Sequence, residues 1–96
     1  MATFISLCNW TQQGIENVKD SPKRLDAARD GWAKMGVQLK GFYLTMGEYD
    51  FVVITEAPDD ETAAKAVIAV AATGNARTKT LRAFTEPEYR EILGSM

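Results

Sequence analysis

The chain contains no histidine. That absence excludes histidine metal ligands, histidine general bases and any Ser-His or Cys-His nucleophile pair. Cysteine is nearly as scarce. Cys8 stands alone, so no disulfide can close within the chain, which fits a reducing compartment and leads us to expect a cytoplasmic protein. One cysteine without histidine leaves too few soft ligands for a structural zinc site, and no metal or cofactor is expected. No apolar run approaches the ~20 residues that span a bilayer, so no membrane partner is expected. The start, Met1-Ala2-Thr3-Phe4-Ile5, lacks a basic segment and runs straight into a strand pattern, so no signal peptide is expected. Without one, the glycosylation sequon Asn9-Trp10-Thr11 reads as chance. An excess of one charge is also missing: 11 basic and 13 acidic residues leave a net charge of −2, which argues against a nucleic-acid binder driven by bulk charge.

What is present suits one domain over residues 1–96. A chain this short buries roughly 60–65% of its unfolded surface. Its core is therefore modest, and subunit association is a common further source of stability. The three prolines sit where helical patterns open, where a fixed φ and a missing N–H donor are harmless. Ser21-Pro22 opens the first pattern, with Ser21 as the expected cap. Leu25, Ala28, Trp32 and Met35 then form one helical stripe, Lys23, Asp26, Asp30 and Lys34 form a solvated face, and Gly36 ends it. Pro58-Asp59-Asp60-Glu61 opens the second, with acidic residues at the positive end of the helix dipole. Residues Ala63 to Ala72 include one charge, Lys65, so more than one side of this helix is expected to be covered. Thr85-Glu86-Pro87-Glu88 fits a capping box for a short last helix. Its stripe of Tyr89, Ile92 and Leu93 could cover the second helix.

Period-two patterns fill the intervals at 2–10, 38–46, 50–56 and 77–84. Segment 11–20 reads as a loop with room for one helical turn at Gly14 to Val18. Gly47-Glu48-Tyr49-Asp50 separates two β-rich runs, which is a hairpin signature. The order β-α-β-β-α-β plus a terminal helix is the ferredoxin-like pattern: an α+β fold with a four-stranded antiparallel sheet, helices on one face and an extra C-terminal helix. On the first strand, Ile5 and Leu7 alternate with Phe4, Ser6, Cys8 and Trp10. Phe4 and Trp10 are expected on the face away from the helices. A half-apolar open face is usually covered, so a sheet-on-sheet homodimer, or a higher homo-oligomer built from it, is expected.

The stretch Gly47-Glu48-Tyr49-Asp50-Phe51-Val52-Val53 resembles the signature of the GYD domain family. Asn9-Trp10-Thr11-Gln12-Gln13-Gly14-Ile15, Asp20-Ser21-Pro22-Lys23-Arg24 and Gly74-Asn75-Ala76-Arg77-Thr78-Lys79-Thr80-Leu81-Arg82-Ala83-Phe84 agree with it. The resemblance covers essentially the whole chain, with one mild departure: Ala76 stands where a bulkier residue is expected. It implies kinship with the dimeric α-β barrel group of small bacterial proteins, which includes cofactor-free monooxygenases, lactone isomerases and haem-handling enzymes. The GYD family itself brings no established activity, and analogy at the level of the group does not assign one. At most the resemblance allows a cofactor-independent monooxygenase-like or isomerase-like reaction.

Each conspicuous residue has a structural and a functional reading. Gly47 supplies positive φ and Asp50 bonds nearby backbone donors, or Glu48, Tyr49 and Asp50 rim a pocket in which Asp50 or Tyr49 does acid-base work. Arg77 and Arg82, with Thr78 and Thr80, line an interface and pair with carboxylates, or hold a small anion. Asn9 and Trp10 close the first strand as packing residues, or face a flat aromatic ligand. Cys8 reads as a buried apolar residue, and Tyr43 and Met46 are not expected to bind haem. Two hypotheses follow. In the first, a small organic anion binds between sheet and helices at Asn9, Trp10, Tyr43, Tyr49, Asp50, Arg77 and Arg82. In the second, the same residues build a non-enzymatic assembly or interaction module.

Overall fold

The period-two stretches become strands β1 (Ala2–Trp10), β2 (Gln38–Leu44), β3 (Phe51–Ala57) and β4 (Ala76–Ala83) in a computed structural model of Met1–Met96. The helices are α1 (Gln12–Glu16), α2 (Ser21–Lys34), α3 (Asp60–Ala71) and α4 (Glu86–Gly94), and a 3-10 turn spans Val18–Asp20. The strands form one antiparallel sheet in the order β2-β3-β1-β4, which is the ferredoxin-like topology read from the sequence. No helix is long and apolar enough to cross a membrane.

Directly paired residues in an antiparallel ladder share a face. The pairs Phe4↔Thr55, Ser6↔Val53 and Cys8↔Phe51 therefore mark one side of the sheet, and all six residues are buried. Trp32 of α2 and Ala63 and Ala66 of α3 pack on that side. The Trp32 indole Nε1–H donates to the Ala66 carbonyl at 3.2 Å and fastens α2 to α3. Each large side chain buried here contributes about 1.5–3 kcal/mol relative to exposure.

This arrangement reverses the expectation for Phe4 and Trp10. Both lie on the helix-covered face, Phe4 in the core and Trp10 against it. The open face instead carries Ile5 and Leu7 of β1, Val52 and Ile54 of β3, Tyr43 of β2 and Leu81 of β4. Alternation groups residues by face but does not say which group receives the helices. Ser6 and Cys8 made the covered group look polar. In the fold the Ser6 hydroxyl shares a 2.9 Å hydrogen bond with Thr80 Oγ1, and the Cys8 thiol donates to the Ser6 carbonyl at 3.6 Å, so neither is buried unpaired.

Helix boundaries follow their caps. The capping box of Thr85 and Glu88 is formed, and the Asp59 carboxylate accepts the Thr62 N–H at 2.7 Å to start α3. Ser21 does not cap α2: the 3-10 turn runs directly into the helix, and Ser21 lies inside its first turn. Segment 11–20 is more ordered than a loop, because Thr11 caps α1 by accepting the Gly14 N–H at 3.1 Å. The expected cover of α3 by α4 is not formed. No residue of α4 is buried, its Tyr89, Ile92 and Leu93 are exposed, and Ile68 on α3 remains 65% exposed. α4 leaves the end of β4, the edge strand of the sheet, and its apolar stripe finds no surface of its own chain.

Candidate functional site

The residues singled out at the end of β1 meet at one corner of the fold. The β2–β3 turn positions Asp50. Its backbone N–H donates to the Cys8 carbonyl, and its own carbonyl accepts the Thr45 N–H, both at 2.9 Å. Gly47 takes φ +119° in this turn, a region that favours glycine, and the Thr45 hydroxyl donates to the Tyr49 carbonyl at 2.6 Å. The Asp50 carboxylate oxygen Oδ2 then accepts the Trp10 backbone N–H at 2.9 Å. Asp50 thus closes the ladder where β3 begins and β1 continues past it to Trp10.

The same corner holds a second seam. α1 lies against the α3–β4 connection, with the Thr11 N–H on the Asn75 carbonyl at 3.0 Å and the Thr11 hydroxyl on the Gly74 carbonyl at 2.5 Å. Gln13 Nε2 donates to the Thr73 carbonyl and to Asn75 Oδ1, each at 3.1 Å. The approach is so close that a Cβ on Gly14 would lie 1.9 Å from the Asn75 carbonyl oxygen. The stretches beginning Asn9-Trp10 and Gly74-Asn75, distant in sequence, are therefore one structural unit.

Two concavities flank this corner. The first is open and polar, about 410 Å³, lined by Trp10, Thr11, Gln12, Ile15, Asp50 and Arg77. Arg77 pairs across the sheet with Asn9, so Asn9, Trp10, Asp50 and Arg77 do come together. Tyr49 sits nearby, with Lys79 Nζ 5.7 Å from its ring centroid, within cation–π reach. The second is an apolar cavity of about 400 Å³ between the sheet, α2 and α3. Trp10, Trp32, Phe42 and Phe51 supply its aromatic walls, Cys8 and Ser6 lie on its sheet side, and Arg24 is the one charged residue lining it. Phe51 is 5.3 Å from both Trp10 and Phe42, centroid to centroid.

Tyr43 and Arg82 belong to neither concavity. Tyr43 stands on the open face opposite Val52 and is 59% exposed. Arg82 pairs with Phe4, five positions along β4 from Arg77, roughly 17 Å away. Its guanidinium lies 4.6 Å from the Phe84 ring and 5.6 Å from the Phe4 ring, and it donates to the Ala83 carbonyl. Arg24, Trp32, Phe42 and Phe51 escaped notice as lining residues. For Trp32 the signal was the stripe that also holds Ala28, because small side chains between large ones leave room; nothing local in the sequence marked Arg24, Phe42 or Phe51.

The perturbed ionisations sit apart from acid-base roles. Burial pushes the Cys8 thiol up to about 12, which makes it a poor nucleophile at neutral pH. The Asp59 carboxyl is held below its ordinary range by the Thr62 backbone N–H and hydroxyl, and Glu88 likewise by Thr85. Asp59 is the N-cap of α3, and Glu88 is the partner of the N-cap Thr85 in the α4 capping box.

Against this geometry, a family model described as "GYD domain" matches residues 4–93. The chain is 36% identical over 84 residues to a Thermus thermophilus protein named "Glutamine synthetase and cystathionine beta-lyase binding protein", covering 86% of this chain and 88% of that one. Its fold is similar to the crystal structure of TTHA0845 from Thermus thermophilus, with a TM-score of 0.55 and 25% identity over 88% of this chain and 95% of that chain.

Proposed function

The chain belongs to the GYD domain family, and from that premise we propose that it is a non-enzymatic interaction module that works as a homo-oligomer assembled through the open face of its sheet. The observation that carries this reading is the unpartnered apolar strip of Ile5, Leu7, Val52, Ile54, Tyr43 and Leu81 on that face, with Leu81 51% exposed. Exposed apolar patches of this kind mark association surfaces. The engaged state of Asp50 supports it, since this carboxylate already serves the Trp10 N–H. The relative's name, a binding protein for two enzymes, supports a role in which the assembled module holds other proteins. The lone, buried thiol of Cys8 is in keeping with a cytoplasmic setting.

Replacing Ile54 or Leu81 with Glu tests the reading by light scattering. The expected result is a fall to the mass of one chain, with an unchanged far-ultraviolet circular dichroism spectrum. Retention of the assembled mass in both variants refutes it. A second reading, a small organic anion bound between sheet and helices, is favoured by the apolar cavity of about 400 Å³. The open pocket suits an anion less well, because the Asp50 carboxylate shares it with Arg77.

A further inference from the structure

A groove of about 400 Å³ lies between α2, α3 and the sheet, within the volume range of small-ligand pockets, and it opens to solvent past the exposed Ala27, Gly31 and Ala69. Gly31 and Ala28 on α2 and Ala69 on α3 line it, and such small residues keep it open. Four aromatic side chains face it, two of them tryptophans. Flat rings stack favourably on such walls.

The charge distribution narrows the ligand further. Arg24 is the one ionised group along the lining. Its guanidinium is anchored rather than free: Nη1 donates to the Asn17 carbonyl at 2.8 Å and Nη2 to the Gly14 carbonyl at 3.4 Å. A guanidinium has five N–H donors, so these bonds leave donors for a ligand while fixing the plane in which they point. No carboxylate of the chain lies within salt-bridge distance of Arg24, whereas Arg29, Lys65 and Arg90 each have one. A single fixed guanidinium at the side of an apolar cavity matches one carboxylate, which it can grip with paired hydrogen bonds. A phosphate dianion would call for more charge.

We propose that this cavity binds a flat, largely apolar molecule of one or two fused rings bearing one carboxylate, its rings against Trp10, Trp32, Phe42 and Phe51 and its carboxylate on Arg24. The inference rests on the second reading above and adds to it the ring-shaped ligand and Arg24 as its anchor. Arg77 and Arg82 are not part of it.

The experiment compares 2-naphthoate with the uncharged 2-naphthamide on the full chain, following the Trp32 indole N–H by NMR titration. In the unmutated chain naphthoate is expected to shift this signal and to bind about tenfold or more tighter than the amide, the range of a charge-assisted hydrogen bond. Arg24→Met is expected to remove that preference, and Ala28→Phe, which fills the cavity, to abolish both titrations. Equal affinity for the two probes in the unmutated chain overturns the assignment of Arg24 and the carboxylate while leaving the cavity as a binding site. Failure of both probes at millimolar concentration overturns the site itself. Because the probe comparison needs no variant, the outcome stands even if Arg24→Met does not fold.

Discussion

Asp50 separates structure from chemistry most cleanly, because two substitutions of it predict different things. Its Oδ2 accepts the Trp10 backbone N–H at 2.9 Å, while its backbone groups bond Cys8 and Thr45 and survive any substitution. Asp50→Ala removes the acceptor and leaves a half-buried N–H at the end of β1 without a partner. A hydrogen bond to a charged group is worth about 1.5–3 kcal/mol, and partial exposure of this corner brings the expected loss to about 1–2 kcal/mol. Asp50→Asn keeps an acceptor oxygen in the same place and loses only the charge, so it should cost less than about 0.7 kcal/mol. In a domain of this size the alanine variant should melt roughly 5–12 °C lower. The assay is urea unfolding followed by circular dichroism, at one protein concentration because assembly contributes to stability. If the asparagine variant is as unstable as the alanine variant, or if the alanine variant matches the parent, the role assigned to Asp50 is wrong.

Two further predictions concern the same corner and the core. Gly14→Ala gains helix propensity of up to about 1 kcal/mol, yet its Cβ would meet the Asn75 carbonyl oxygen at 1.9 Å; displacing α1 breaks bonds worth about 1 kcal/mol each, so a net loss of about 2 kcal/mol is expected by chemical unfolding, and a stabilised variant would refute the seam. For Cys8, the rise from 9.0 to about 12 means that the folded state holds its proton where the unfolded state releases it. Its stabilising effect is therefore complete below pH 9 and lost as the pH rises toward 12, with a slope of at most about 1.4 kcal/mol per pH unit. The difference between the parent and Cys8→Ala unfolding curves isolates this slope, and a flat difference from pH 9 to 11 would contradict it.

Much of the fold was legible because its signals are local. The alternation of Phe4, Ser6 and Cys8 with Ile5 and Leu7, the glycine-led turn at Gly47 and the Thr85–Glu88 box each need only neighbours in sequence. What was not legible depended on distant partners. Ser6 is buried because Thr80, 74 positions away, completes its hydroxyl, and that pairing hid which face the helices cover. Candidate residues chosen by type divided accordingly. Asn9, Trp10, Asp50 and Arg77 converge because strand register places them at one end of the sheet, whereas Tyr43 and Arg82 resemble them in chemistry but lie on an exposed face and at the opposite end. Nothing next to Arg24 in the sequence marks it, because its partners, the Gly14 and Asn17 carbonyls, are brought to it by the short helix α1.

The apolar strip on the open face underlies the account, and sedimentation equilibrium of the unmutated chain at micromolar concentration tests it most directly. The account predicts a mass at least twice the 10.6 kDa of a single chain. A stable, fully folded species at the single-chain mass would contradict it.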